Sequence, residues 1–226
     1  MAIRRIESLK PMTQPEALLL VSPHCQHCRG MHDTLDEFIE SGILSRLTVV
    51  DIFEQPNMAE QLGVRSVPWL RLGGFVLEGV HTPGELRNWI EASTQESGWS
   101  KYLEYLLQSG KLQLAEDLVH ENPERLNALV PLADNADTAM HVRVGIAAIL
   151  EGLQGTEQIK ALVPAFSEIA NSADEKVRAD ACHFLALTGA AEAVPVLEKY
   201  SRDKSQMVRE IAKEGLQDLK LAIGTR

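Results

Sequence analysis

A chain of 226 residues, 45% of them hydrophobic, is long enough for two domains of ordinary size. Its formal net charge of −10 argues against a general binder of nucleic acid or of a membrane surface. Three cysteines are too few for a secreted disulfide framework, and no stretch approaches the roughly 18 apolar residues of a membrane span. The expectation is a soluble, cytoplasmic protein with no cofactor.

Residues 1–15 are weakly patterned, with Ile3 to Glu7 a candidate edge strand. Arg4 and Arg5 precede an apolar run too short for the core of a signal peptide, so no leader is expected. That run, Ala17-Leu18-Leu19-Leu20-Val21, reads as a short buried strand. It leads into Ser22-Pro23-His24-Cys25-Gln26-His27-Cys28, after which Met31, Leu35, Phe38 and Ile39 recur at helical spacing. The two cysteines therefore sit where a strand turns into a helix. The first turn of a helix has unpaired N–H groups and the positive end of the macrodipole, which favour an anion. A thiol there loses its proton more readily, its pKa falling from about 8.5 towards roughly 3.5–7.5 in known sites. Two cysteines separated by two residues can also close a disulfide within one helical turn. Cys25 is expected as the exposed attacking thiolate and Cys28, one turn in, as the resolving thiol. Strand, CxxC and helix together read as a thiol–disulfide exchange site.

A metal reading stands beside it. His24, Cys25, His27, Cys28 and His32 lie within nine residues, and His24, Cys25, Cys28 and His32 are the set that could bind zinc or copper. A structural zinc site usually draws its second pair from another loop, and the sequence has no second CxxC or HxxxH, so no metal is expected.

Further along, the first helix ends near Ser41-Gly42, and Leu47 to Phe53 is the next strand. Asn57 to Leu62 makes a short helix stopped by Gly63. Val67 to Leu72, the turn Gly73-Gly74 and Phe75 to Glu78 read as a hairpin, and Thr82-Pro83-Gly84-Glu85 starts a helix through Leu86, Trp89 and Ile90. The order is β-α-β-α-β-β-α. With the CxxC after the first core strand, residues 15–92 resemble a thioredoxin-fold domain, and Gly63-Val64-Arg65-Ser66-Val67-Pro68 is similar to that family's cis-proline loop. The resemblance implies that Pro68 is cis and packs beside the disulfide, and that Val67 offers backbone groups to a substrate strand. This sequence departs from the thioredoxin pattern in three ways. His24 stands where tryptophan precedes the first cysteine, Gln26-His27 replaces Gly-Pro, and Leu19 takes the strand position of a buried acid. A histidine just before the second cysteine is similar to protein disulfide isomerases and the bacterial periplasmic oxidase. By that likeness His27 stabilises the Cys25 thiolate, which makes the disulfide more oxidising.

Glu91 to Ser100 is polar and reads as a linker between domains at 1–95 and 98–226. Beyond it only helical periodicity remains, and it repeats. Val142-Arg143, Val177-Arg178 and Val208-Arg209 are spaced 35 and 31 apart; Val130-Pro131, Val163-Pro164 and Val194-Pro195 are spaced 33 and 31. The registers alternate, giving pairs of helices that cannot each cover their own apolar face and so stack. The units resemble short HEAT-like repeats, in which an Asp near one helix start and the following Arg, here Asp174 with Arg178, often cap and stitch adjacent units. Asp137 and Asp203 are candidate equivalents. Trp99 to Glu121 fits the repeat poorly and is expected to cap the stack, or to dock on the redox head through Trp99, Tyr102 and Tyr105. Cys182 reads as a buried inert thiol. The fold class expected is an α/β thioredoxin-like domain followed by an all-α HEAT-like solenoid. The function expected is a thiol–disulfide oxidoreductase acting on a protein client with a disulfide or dithiol, served by an unidentified reductant. The rival reading is a non-catalytic scaffold that binds proteins through both domains.

Overall fold

The computed structural model describes residues 14–224, so the strand expected over Ile3–Glu7 lies outside the described residues. The chain divides into two compact units, one ending at Trp99 and the other beginning at Ser100.

In the first unit the elements run β1 (Glu16–Val21), α1 (Gln26–Glu40), β2 (Arg46–Asp51), α2 (Pro56–Gln61), β3 (Trp69–Leu72), β4 (Phe75–Glu78) and α3 (Pro83–Ser93). The sheet order is β2-β1-β3-β4, with β1 parallel to β2 and antiparallel to β3. A parallel pair needs a crossover, and α1 supplies it. β1 has a strand on either side and helices over both faces, which is why its sequence is continuously apolar rather than alternating. Leu20 packs with Val50 and Trp69, and Met58, Ala59 and Leu62 close over them from the α2 side. Leu19 points the other way, towards the face carrying α1 and α3, and is fully buried (0% exposed). There Arg87 of α3 lies over the ring of Phe38 of α1, 5.0 Å from its centroid.

Local chemistry sets the element ends. Ser41 closes α1 and Gly42 turns the chain at φ 71°, a conformation that costs a side chain heavily. β2 stops at Asp51, two residues short of the expected Phe53, because the Asp51 carboxylate accepts the Phe53 N–H at 2.8 Å and starts a turn. β3 begins at Trp69, since Pro68 has no N–H to give the ladder. Thr82 and Glu85 form a capping box at α3, with Glu85 N–H donating to Thr82 Oγ1 (3.3 Å) and Thr82 N–H donating to Glu85 Oε2 (2.7 Å). The Thr82 backbone N–H, then its hydroxyl, hold the Glu85 carboxyl below the usual range.

The linker expected over residues 91–100 is mostly helix. α3 continues to Ser93 and α4 (Gly98–Gln108) has already begun at Gly98. Gly98 is required by space, because a Cβ there would lie 1.8 Å from the carbonyl oxygen of Ala92.

The helix-rich second unit continues with α5 (Leu112–Glu121), α6 (Val130–Asp134), α7 (Met140–Gly152), α8 (Glu157–Lys160), α9 (Val163–Ile169), α10 (Glu175–Leu187), α11 (Val194–Tyr200) and α12 (Gln206–Gly224). Pro131, Pro164 and Pro195 occupy the first turns of α6, α9 and α11, where the missing N–H costs nothing. Val142, Val177 and Val208 are wholly buried on α7, α10 and α12. Each following arginine reaches back to carbonyls of the turn before its own helix: Arg143 to Asn135 and Thr138, Arg178 to Ser172 and Ala173, Arg209 to Asp203 and Lys204.

The capping and the stitching fall to different residues. Asp174 does not pair with Arg178; it caps α10 by accepting from Lys176 N (2.8 Å) and Val177 N (3.1 Å). Those two N–H groups hold its carboxyl below the usual range. Arg178 instead grips Asp203, ahead of α12, through Nε and Nη2, both at 3.1 Å. Arg143 pairs with Asp180 on α10. Asp137 caps nothing, since the N-cap of α7 is Ala139. Asp174 gives one oxygen to two N–H groups of its own helix, whereas Asp203 accepts both Arg178 and the Ser205 N–H.

Candidate active site

The chain leaves β1 at Val21 and enters α1 through Ser22–Cys25. Cys25 N–H donates to Ser22 O at 3.1 Å, which folds Pro23-His24 into a tight turn. Cys25 is the N-cap residue of α1, and its sulfur accepts the Cys28 backbone N–H at 3.1 Å. A first-turn N–H, shared with the Cys25 carbonyl at 3.3 Å, thus points at the Cys25 sulfur, at the positive end of a 15-residue helix. That arrangement favours the thiolate over the thiol at Cys25.

Cys25 and Cys28 are joined in a disulfide, S–S 2.07 Å with the Cα atoms 5.4 Å apart. The two sulfurs are unequally accessible. Cys25 is half-buried, whereas Cys28 is 3% exposed beneath the first turn. A partner sulfur can approach only the first. A cavity of about 370 Å³ opens beside the pair, lined by Val21, Ser22, Pro23, His24, Cys25, Gln26, Cys28, Arg29, His32 and Val49.

Of the other residues read as site residues, His24 is exposed and meets the ring of Phe53 edge-on, centroids 6.0 Å apart. His27 is exposed on the first turn of α1 and does not line the cavity. The Val67–Pro68 peptide bond is cis. Trp69 pairs with Leu20, so Pro68 falls level with Val21, at the end of β1 from which the chain passes to the cysteines. Pro68 is buried and its carbonyl accepts the Gly79 N–H at 3.0 Å, while the Val67 side chain packs on the Leu20, Val50 and Trp69 cluster. The set His24, Cys25, Cys28 and His32 is not gathered as a metal site: among the described residues no three His, Cys, Asp or Glu side chains are placed to hold a metal ion. His32 Nε2 instead faces Asp36 Oδ2 at 3.3 Å.

Phe53 and Arg29 escaped the sequence reading. Phe53 reads as the last apolar residue of a strand, and only the Asp51 turn releases it to solvent, 67% exposed beside His24. Arg29 follows Cys28, and its place on the cavity wall depends on the phase of α1. Cys182, in the second unit, is the free cysteine among the described residues, and burial pushes its thiol up to about 12.

Among the described residues no helix is long and apolar enough to cross a membrane. No curated protein matches the chain. Residues 17–91 match the family described as the thioredoxin domain. This segment, with its close Cys25–Cys28 pair, is a thioredoxin domain whose chemistry suggests a redox role, and the rest of the chain is a helical region consistent with repeats.

Proposed function

We propose that the chain is a protein thiol–disulfide oxidoreductase. The observation that carries this reading is the unequal pair at the head of α1: an accessible Cys25 sulfur held by a helix N–H, closed onto a shielded Cys28. In the reducing direction the Cys25 thiolate attacks one sulfur of a client disulfide. Its electron pair makes the mixed disulfide, and the client's other sulfur leaves as a thiolate. Cys28 then attacks Cys25, closing the intramolecular disulfide and releasing the second client thiolate. Run backwards, the same steps oxidise a client dithiol, and the potential against the surroundings sets the direction. His27 and His24 flank the reacting sulfur, and the Val67-Pro68 loop offers the client backbone a strand edge at the same end of the sheet. The helical region, read as HEAT-like repeats, selects the protein client, and a reductant in the cytoplasm returns the pair to the dithiol.

The test uses the full chain and a disulfide-bonded protein probe such as insulin. Cys28→Ser should accumulate a mixed disulfide with the probe through residue 25, seen as a mass shift on a non-reducing gel, and Cys25→Ser should form none. Equal adducts in both variants, or none in either, would remove the exchange reading and leave the scaffold. A titration of the wild-type pair against glutathione buffers, read by alkylation mass shift, then fixes the direction.

A further inference from the structure

The resolving step raises a problem that this site does not solve in the obvious place. Cys28 must lose its proton before it can attack, yet it is 3% exposed, and burial opposes a thiolate. Leu19, apolar and fully buried, takes the strand position where an acid would stand below it. Among the described residues the buried charged side chains are Arg143 and Arg178, both in the second unit. His27 lies on the exposed side of α1 and does not reach the cavity.

One base does share a wall with Cys28. His32 lies one turn further along α1, and both line the cavity of about 370 Å³, large enough for several waters. His32 Nε2 faces Asp36 Oδ2 at 3.3 Å, so in the neutral ring Nε2 carries the hydrogen and Nδ1 is left as the acceptor. The other groups facing this space are Arg29 and His24, while β1 and β2 present Val21 and Val49, which bring no charge.

We propose that His32, held by Asp36, is the proton acceptor for Cys28. The proposal rests on the exchange reading above. In the mixed disulfide, Cys28 passes its proton through a water of the cavity to His32 Nδ1. The sulfur electron pair so freed forms the bond to Cys25 Sγ. The bond between Cys25 and the client sulfur breaks with its pair going to the client, and the client thiolate takes the proton back from the imidazolium. The two cysteines lose two electrons and the client disulfide gains them. The aspartate and histidine on the helix thereby do the work of an acid that the strand lacks.

The experiment is stopped-flow reaction of the reduced full chain with Ellman's reagent, followed at the absorbance of the released nitrothiobenzoate. The first release, from attack by Cys25, depends on reagent concentration; the second, from attack by Cys28, does not. In His32→Gln the second phase at pH 7 should slow at least ~tenfold with the first phase unchanged, in line with the lower end of general-base effects. Its rate should then climb only as the shielded thiol ionises unaided at alkaline pH, and added imidazole should restore it. Asp36→Asn, at an exposed position, should slow the same phase ~2–3-fold, a smaller loss because the base itself is kept. A His32→Gln second phase that overlays wild type across pH, or one insensitive to imidazole, would overturn the role of His32 while exchange stands. A wild type with no second phase, behaving as Cys28→Ser, would overturn the exchange reading and this inference with it.

Discussion

Replacing Asp203 with alanine is the sharpest test of how the helical unit is held together. Asp203 accepts two hydrogen bonds from Arg178, at Oδ2 from Nε and at Oδ1 from Nη2, each at 3.1 Å. The side chains are 5% and 9% exposed, so the pair is desolvated. Removing one partner of a buried pair costs about 3–5 kcal/mol, because the other charge is left without compensation. Here the lower end applies, about 3 kcal/mol, since Arg178 Nη1 keeps the carbonyls of Ser172 and Ala173. With a urea slope of roughly 1.5 kcal/mol/M, the midpoint followed by circular dichroism at 222 nm should fall by about 2 M. Asp180→Ala is the internal comparison. Asp180 is 32% exposed in its pair with Arg143, so the loss should be near 1 kcal/mol or less. The pair also predicts a pH effect. Burial pushes the Asp203 carboxyl up, but Arg178 and the Ser205 N–H outweigh it and hold it below the usual range. A carboxylate depressed in the folded state stabilises above its unfolded value, near about 3.9, and that contribution is lost as pH falls from there through the folded value. Wild type should show this acid loss and Asp203→Ala should lack it. An Asp203→Ala midpoint within about 0.3 M of wild type, or Asp180→Ala costing more, would refute the reasoning.

Cys182 should be silent in the folded chain: at pH 8 a thiol near 12 is ionised roughly three orders of magnitude less than one near 8.5, so once the Cys25–Cys28 disulfide is reduced, iodoacetamide should label Cys25 first and Cys182 only after unfolding. Native labelling of Cys182 at the Cys25 rate, read by peptide mass, would contradict its burial. Gly98→Ala should destabilise the chain by ~3 kcal/mol or more on thermal melting, because the added methyl meets the Ala92 carbonyl and backbone cannot step aside as a side chain can. A melting temperature within a degree of wild type would mean the turn after α3 has slack. Met140 and Val144, one turn apart on α7, are 69% and 60% exposed, so Met140→Glu with Val144→Glu should leave the fold and the Ellman reaction unchanged. The same pair should thin the set of proteins trapped by Cys28→Ser if clients dock on the helical region, and an unchanged set would argue against docking there.

The thioredoxin unit was legible because its signals are local and agree with one another. A five-residue apolar run, a CxxC at a helix start and a Pro-opened hairpin each specify their own backbone, and the order of elements then leaves few ways to close the sheet. The helical packing of the second unit was legible for a similar reason, since a buried valine recurring in Val142, Val177 and Val208 is a packing constraint written three times. Hydrogen-bond partners and element ends were less legible. Asp174 and Arg178 have the spacing of a pair, but Asp174 gives one oxygen to the Lys176 and Val177 N–H groups, and the guanidinium finds Asp203 instead. The segment 91–100, read as a linker from its polarity, does hold the boundary between the two units, but it is mostly helix, because polar composition marks a surface and not freedom.

Sequence alone determined that two sulfurs one helical turn apart stand at the head of a helix behind a buried strand, since strand, turn and helix are dictated by periodicity over a few residues. Only the tertiary structure decided that Phe53 turns out beside His24, that Asp36 holds His32, and that His32 and Cys28 line one cavity with Val21 and Val49. Exposure and proximity of that kind are set by how helix α1 lies against strands β1 and β2, and no residue carries that information by itself.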